Sequence, residues 1–497
     1  MENPAARPMR RLGAAWAGLE AALAAPAAGW VLLTLLAWLY TFAYAQHPLN
    51  PGSAPATLRL GWWGWADQSA YWESAAELAQ GRLTAEHTHY SLGYPLLGAL
   101  GWRFMPTHAF FVPNLLLVLA AAAAWWRLAR QWLDRRRTLL TALAFLGLHR
   151  DLLALTQVVP WNTIATQAAL IAGLWAMVGT TGARTVRWLT VLAALSYLVR
   201  PGDAASFAPM LVWAVLRLPA WRQRIVAGLG GVAAIAAVVA AVMLVNYVVF
   251  GTRDTPYERM TWQAIGFGAY PVLHKVYGLF VDGRAFFGET DTALLFRYPW
   301  LWLAFPGAVW WVQRQGGAAV AALATLALNW ALYANYNDFL PSALDRFSLI
   351  HYLTWAFPVL FALAVVALGQ AWRERGGRLA WGAAAGLAVL ATGVSLEPRE
   401  LPVTAAPGRV AALPATRPLW VHFPGEDLGK VKLLQLDGRS LAEARDYQIP
   451  YVPSDLRLML SARASGRELA ARPEAGLTAT PVVGDFVWRW RWSPERW

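Results

Sequence analysis

Asp67, Glu73, Glu77, Arg82, Glu86, His87 and His89 fall within one stretch, residues 61–97, among seven Trp and Tyr side chains. Carboxylates and imidazoles are the groups that most often move protons near neutral pH. Asp67 stands first, flanked by Trp62, Trp63 and Trp65. A carboxylate at the aqueous edge of an apolar bundle can act as a general base tuned by partial burial. The same residue at the start of a helix can instead act as its N-cap. Glu86, His87 and His89 also have two uses. They can contact a substrate phosphate, or they can hold a divalent metal, since imidazole and carboxylate suit zinc. A His-x-His on a loop lacks a fixed third ligand, so phosphate contact is the first reading and no cofactor is assigned. Tyr90 and Tyr94 can stack on sugar or lipid, or anchor the chain at a membrane boundary.

These residues need a scaffold. Residues 67–80 have helical character, and Gly81 is a natural stop. On such a helix Asp67, Tyr71, Ser74 and Leu78 share one face. Trp72, Ala76 and Ala79 form another, suited to a membrane surface. A second aromatic, partly polar stretch, 256–280, interleaves Tyr257, Trp262, Phe267, Tyr270, Tyr277 and Phe280 with polar residues.

Around these two stretches the chain is strongly apolar. Of 497 residues 58% are hydrophobic and 14% charged, and 30 are Trp. That charge is well below the roughly 25% of soluble domains. The long apolar runs predict an α-helical polytopic membrane protein, with Trp at the membrane–water boundary. The net charge of +13 comes from Arg in short links between apolar runs, so it reads as a topology signal and excludes no membrane role. No basic–aromatic module points to nucleic acid. With no Cys, disulfide and thiol chemistry are excluded. Lys is confined to Lys275, Lys430 and Lys432. The N-terminal run lacks a small-residue cleavage site after a short core, so the first span is read as uncleaved.

About eleven spans are expected, near 27–46, 108–129, 138–155, 162–179, 187–200, 203–217, 225–250, 298–313, 318–335, 347–369 and 379–396. With this count, the N-terminal Arg cluster and the links holding Arg127–Arg137, Arg184–Arg187, Arg217–Arg224 and Arg373–Arg378 all lie on one side. The excess of positive charge makes that side cytoplasmic. The N-terminus is then cytoplasmic, and segments 47–107, 251–297 and the C-terminal region lie outside. The expected domains are a membrane domain, 1–396, and a small soluble extracytoplasmic domain, 397–497, mixed or β-rich. Strand-like runs such as LWVHF and FVWRWRW mark the latter. In its end Phe486, Trp488, Trp490, Trp492 and Trp497 alternate with Arg, as in a strand with one face against a partner surface.

The order of these features resembles the GT-C glycosyltransferases, in the bacterial branch of protein O-mannosyltransferase-like and aminoarabinose-transferase-like proteins. The resemblance rests on an outer loop with an early Asp followed by Tyr, then the run Tyr94-Pro95-Leu96-Leu97. Leu198-Val199-Arg200-Pro201-Gly202 and Asn246 to Phe250-Gly251 continue it. So do Tyr277-Gly278-Leu279-Phe280 with Pro299 and Phe305-Pro306-Gly307, and finally Asp345-Arg346-Phe347. The ordered set spans 27–370. Where many relatives carry an acidic pair, this chain has Asp67-Gln68. Where relatives carry an acid entering the fourth span, it has Trp161-Asn162, with Asp151 nearby but elsewhere. Only Asp67 is therefore carried over.

The resemblance implies transfer of a sugar from a polyprenyl-phosphate donor to a hydroxyl of a glycan, lipid or protein acceptor. This would take place with inversion on the outer face of a bacterial inner membrane. Asp67 would take the acceptor proton. Cationic or hydrogen-bonding groups would meet the departing phosphate. Candidates for that contact are Arg82, His89, Arg200, Lys275, Arg284, Arg297 and Arg346, with Tyr71 and Tyr94 as further substrate contacts. Each cation can equally snorkel to lipid headgroups. Arg200 can pair with Asp203, and Arg346 with Asp345. A transporter or flippase of lipid-linked saccharide is the alternative, although transporters keep ionisable residues near the bilayer midplane. A silent scaffold is a third reading.

Overall fold

The structure is a computed structural model that describes residues 27–52, 61–284, 293–337, 349–371, 382, 385–386, 394–414, 419–443, 445–448 and 456–490. Most of the described chain up to residue 371 is helical, and the C-terminal part is β-rich. Among the described residues four helices are long and apolar enough to cross a membrane: α1 (Ala28–Ala45), a segment Pro106–Ala129 that includes α4 (Phe111–Ala129), α9 (Trp221–Phe250) and α12 (Gly317–Asn335). The α1 helix buries Ala28, Leu32, Leu36, Tyr40 and Tyr44, one residue per turn on a single stripe. Trp30, Trp38 and Phe42 face outward. The α9 helix is apolar all round, and only 6% of its most apolar window is buried in protein. A 30-residue helix with Val226, Leu229, Val232, Leu244 and Val248 exposed has lipid as its natural surroundings.

A fifth crossing exists if a bent pair is one span. Helix α5 (Arg135–Leu148) meets Arg150–Val158 at 73°. Leu153–Val158 is a π-helix, whose wide turn breaks the regular ladder. Between the limbs sits buried His149, whose Nδ1 lies 2.8 Å from the Phe145 carbonyl.

Other expected spans appear as shorter helices: α6 (Thr163–Gly179), α7 (Ala183–Val199), α8 (Ala208–Leu216), α11 (Leu301–Gln315) and α13 (Phe357–Val366). Local chemistry shortens them. Pro201 follows α7 and cannot continue its hydrogen bonding, so α7 ends at Val199. Gly182, at φ 59°, supplies the left-handed turn before α7. The expected span at 379–396 lies almost wholly outside the described residues, and its last three positions begin a strand instead.

Packing divides the chain into two compact units. The first comprises Met1–Thr255, Gly307–Asn329 and Leu353–Gly377. The Arg127 guanidinium lies 5.3 Å from the Trp175 ring, joining the end of α4 to that of α6. Helix α2 (Ala66–Ala79) and helix α3 (Gly93–Trp102) sit at the opposite end. Gly93 lies so close to the end of α7 that an added Cβ would stand 2.6 Å from the Leu198 carbonyl.

The second unit comprises Pro256–Pro306, Trp330–Tyr352 and Arg378–Trp497. Its described residues form helix α10 (Val272–Phe280) and ten strands: β1 (Val394–Glu400), β2 (Ala405–Ala406), β3 (Arg409–Val410), β4 (Leu419–Phe423), β5 (Leu434–Leu436), β6 (Arg439–Ser440), β7 (Tyr447–Gln448), β8 (Leu456–Leu460), β9 (Leu469–Ala471) and β10 (Val482–Trp490). They form two antiparallel sheets, ordered β1-β10-β4-β8-β7 and β2-β3-β9-β5-β6. LWVHF is β4, with Leu419, Val421 and Phe423 turned inward. These join Leu434, Leu436, Leu469 and Val483 in a core that both sheets supply. The other face of the first sheet carries Leu396, Met459 and Phe486, which pack on Ala269, Tyr270 and Tyr277. The aromatic strand at the end of the tail thus has one face on a partner surface within its own unit.

Candidate active site

The scaffold under Asp67 is α2. Its C-terminus closes as the composition suggests. Gly81 adopts φ 72°, its N–H donates to Leu78 O, and the Arg82 N–H donates to Glu77 O. That pair of bonds satisfies two orphan carbonyls and stops the helix. Four further bonds hold the stretch down. Gln68 Nε2 donates to Pro160 O at 3.1 Å, and Trp63 Nε1 donates to Thr107 O at 2.8 Å. Trp72 Nε1 donates to Pro106 O at 3.0 Å, and Ser74 Oγ donates to His87 O at 2.7 Å. Trp72 also packs on Trp102 with ring centroids 4.8 Å apart, so this face of α2 is engaged by protein.

Asp67 is not the cap. Trp65 occupies that position, with no side-chain cap bond, and Asp67 lies in the first turn. There its charge complements the helix dipole. Its Oδ1 accepts a short hydrogen bond from the Tyr90 hydroxyl. Tyr90 is buried and rests on Tyr71, with ring centroids 4.6 Å apart, and Tyr71 meets Tyr94 edge-on at 5.1 Å. The His89 ring lies 5.2 Å from that of Tyr90. Burial holds the His89 pKa below its ordinary value, while the nearby Asp67 charge pulls it back up. The site is therefore a half-buried carboxylate with one oxygen fixed by a phenol, beside an imidazole that favours its neutral form. Such a carboxylate is oriented to receive a proton from a group placed against it.

Gln68, beside Asp67, has a bond of its own. Its buried amide donates to a backbone carbonyl, which a carboxylate cannot do. That carbonyl belongs to Pro160, next to Trp161 and Asn162 at the start of α6, and the Trp161 ring lies 6.5 Å from that of Trp65. Gln68 and the start of α6 are thus brought to one corner by an amide–carbonyl bond.

The same unit holds Arg200 at the end of α7. Its Nη1 lies 3.9 Å from the Asp203 carboxylate, and both side chains are largely buried. Asp203 in turn accepts from Asn329 Nδ2 at 3.2 Å, and Asn329 Oδ1 accepts from Trp355 Nε1 at 2.8 Å. Ser206 Oγ also accepts from Asn329 Nδ2, at 3.1 Å. Arg200 is thereby set on a polar network rather than left to the headgroups.

An apolar cavity of about 110 Å³ opens in this unit. Leu36, Val118, Trp125, Phe145 and Ile171 line it, and Thr156, Gln157, Gln167 and His149 give it a polar side. Gln157 donates to Gln167 at 2.7 Å and stands three residues before Pro160 in the chain.

The remaining candidates lie elsewhere. Tyr94 is fully buried, donates to Asn114 Oδ1 at 3.0 Å and stacks on Phe110, so it belongs to the core. Arg82 is exposed and forks onto Glu77 at 2.8 and 3.0 Å, a bond that lowers the Glu77 pKa. Glu86 is exposed and His87 half-buried. Among the described residues, no group of three or more His, Cys, Asp or Glu is gathered as for a metal. In the second unit Lys275 is buried and donates through Nζ to Tyr336 O. Arg284 binds Asp282 at 2.6 Å, and the Arg297 guanidinium sits 5.8 Å from the Tyr298 ring. Arg346 lies outside the described residues. In the sequence Tyr90 reads as a ring that stacks on substrate or anchors at the membrane boundary, because its bond to Asp67 crosses 23 positions and a turn.

Comparison of the chain with protein-family models, with curated proteins and with solved structures finds no match in any of the three.

Proposed function

We propose that this chain is an inverting glycosyltransferase of the GT-C kind, in a bacterial inner membrane. In this reading about eleven passages cross the bilayer, the shorter helices among them, and residues 61–97 face the outside. The donor is a sugar on a polyprenyl phosphate, and the acceptor is a hydroxyl of a glycan, lipid or protein. Asp67 takes the proton of the acceptor hydroxyl as its oxygen bonds to the anomeric carbon. The bond from that carbon to the phosphate oxygen breaks on the opposite face, and polyprenyl phosphate leaves. Arg200 and His89 are the groups of the same unit best suited to meet the growing phosphate charge. A phosphate leaves readily, so one base suffices and the amide of Gln68 is no obstacle.

The observation that carries this reading is the fixed carboxylate of Asp67, held by Tyr90 beside His89. Purified protein should transfer sugar from synthetic polyprenyl-phosphate donors to membrane acceptors, and Asp67→Asn should lower kcat by on the order of 10²–10⁴-fold. Full transfer by that variant would remove Asp67 from the chemistry.

The bent pair favours a second reading, a transporter or flippase of lipid-linked saccharide, since broken helices lining a cavity are built into many transporters. Proteoliposomes separate the two. Labelled lipid-linked saccharide that changes leaflet without forming a new glycosidic product supports transport; a new product with inverted anomeric configuration supports transfer.

A further inference from the structure

Strand β10 alternates two faces, and Phe486, Trp488 and Trp490 share one. Phe486 is buried against the segment that ends in α10. Trp488 packs on His274 and Tyr277, with ring centroids 5.1 and 5.0 Å apart. Beyond them Trp490 is 58% exposed and Trp488 43%, while Leu273, next to His274 on α10, is 73% exposed. Two Trp rings and, on the helix that Trp488 packs against, Leu273 thus form an exposed apolar edge on the second unit. The opposite face of the strand differs: Arg489 reaches Glu397 at 3.4 Å.

Two connections tie this edge to apolar segments. The first is α12, apolar enough to cross a membrane and ending at Asn335. The Gly268 N–H donates to Asn335 O at 3.0 Å, the Asn337 N–H donates to Gly266 O at 3.1 Å, and Lys275 donates to Tyr336 O. Helix α10 is thus fastened to the end of a candidate span. The second connection is β1. Its first residue, Val394, pairs with Trp490 and accepts from the Tyr277 hydroxyl at 2.6 Å. Residues 379–393, directly before it, contain no charged side chain. The strand end that carries Trp490 is therefore the end at which the chain leaves an apolar run.

We propose that Leu273, Trp488 and Trp490 rest in the lipid headgroup layer of the membrane that α12 crosses, and so seat the β-rich region on the bilayer. Trp is the side chain best suited to that layer, with an apolar ring and one polar N–H. Arg489, on the opposite face and paired with Glu397, stays in water. This assignment is independent of the chemistry at Asp67.

The chain has no cysteine, so single labels can be placed without background. The full-length variants Trp490→Cys, Leu273→Cys and Arg489→Cys, with Lys432→Cys as a second water-facing control, would each carry an environment-sensitive fluorophore. Each is reconstituted in phosphatidylethanolamine–phosphatidylglycerol vesicles with or without lipids bearing a nitroxide near the headgroup. Labels at 490 and 273 should be blue-shifted and quenched several-fold more than those at 489 and 432. Equal, weak quenching at all four positions overturns the assignment. Emission at 490 and 273 that ignores the nitroxide but changes with protein-to-lipid ratio also overturns it, and gives the edge to a second copy of the chain. Because Leu273 and Trp490 lie on different elements, local damage at one leaves the other as a test.

Discussion

At the scale of single residues, the Tyr90–Asp67 bond decides the site. A hydrogen bond to a charged group contributes about 1.5–3 kcal/mol, so Tyr90→Phe should cost stability in that range. Thermal unfolding of the detergent-solubilised protein would measure it, and an unchanged midpoint would mean the bond carries nothing. His89 gives a pH signature. Burial favours its neutral form, so its folded pKa lies below the unfolded one. Its contribution to stability is then present above the unfolded pKa and is lost as pH falls through the folded pKa. Asp67→Asn removes the charge that pulls this pKa up, so His89 should titrate at lower pH in the variant, as read by NMR of labelled imidazole. Movement to higher pH would mean that Asp67 does not act on His89 as a charge. Asp67 itself was legible from residue type and from its place after an apolar run. Its partners were not. Tyr90 and the Pro160 carbonyl reach this corner through a turn and across 92 positions, and local spacing holds no record of either bond.

At the scale of elements, the helix under the site was readable because its stop is a local matter. Gly81 needs φ 72°, and only Gly takes that angle without strain. Nothing stands near its missing Cβ, so Gly81→Ala should cost only roughly 1–2 kcal/mol of backbone strain. Gly93→Ala should cost far more, since the added carbon would meet the Leu198 and Val199 backbone at 2.6–2.9 Å. Comparing the unfolding midpoints of the two variants checks both; equal losses would contradict the close approach. Gln68→Glu tests the amide bond to Pro160. The new carboxyl would face the Pro160 carbonyl in a buried place, so it would resist ionisation. Its folded pKa would exceed the unfolded one, and stability should fall as pH rises above the usual carboxylate range. A variant as stable at pH 8 as at pH 5 would show that the amide is dispensable. The tail strands were visible from alternation alone, as LWVHF shows. The lengths of the membrane helices were less so. Hydropathy averages over Pro201 and over the bend at His149, yet those two points set where helices end.

At the scale of the whole molecule, charge and packing bear on the same question. The Arg-rich links should face the cytoplasm and Thr84 the outside. In intact cells an impermeant thiol reagent should label Thr84→Cys at once and Arg184→Cys only after permeabilisation, the reverse pattern inverting the proposed orientation. Each of these positions is exposed, so labelling reports side rather than burial. Within the first unit, the stretch 61–97 is bonded at Pro160, Thr107 and Pro106 and pressed against Leu198. So many anchors along 33 residues, from 61 to 93, leave it no hinge. It is a floor and not a door. In the proposed transfer, substrate would not be admitted by swinging this stretch aside, and turnover would contain no opening step of the kind that limits many enzymes with lids. Exchange of a long-tailed donor would then depend on sideways diffusion in the bilayer, and its rate would follow the fluidity of the surrounding lipid.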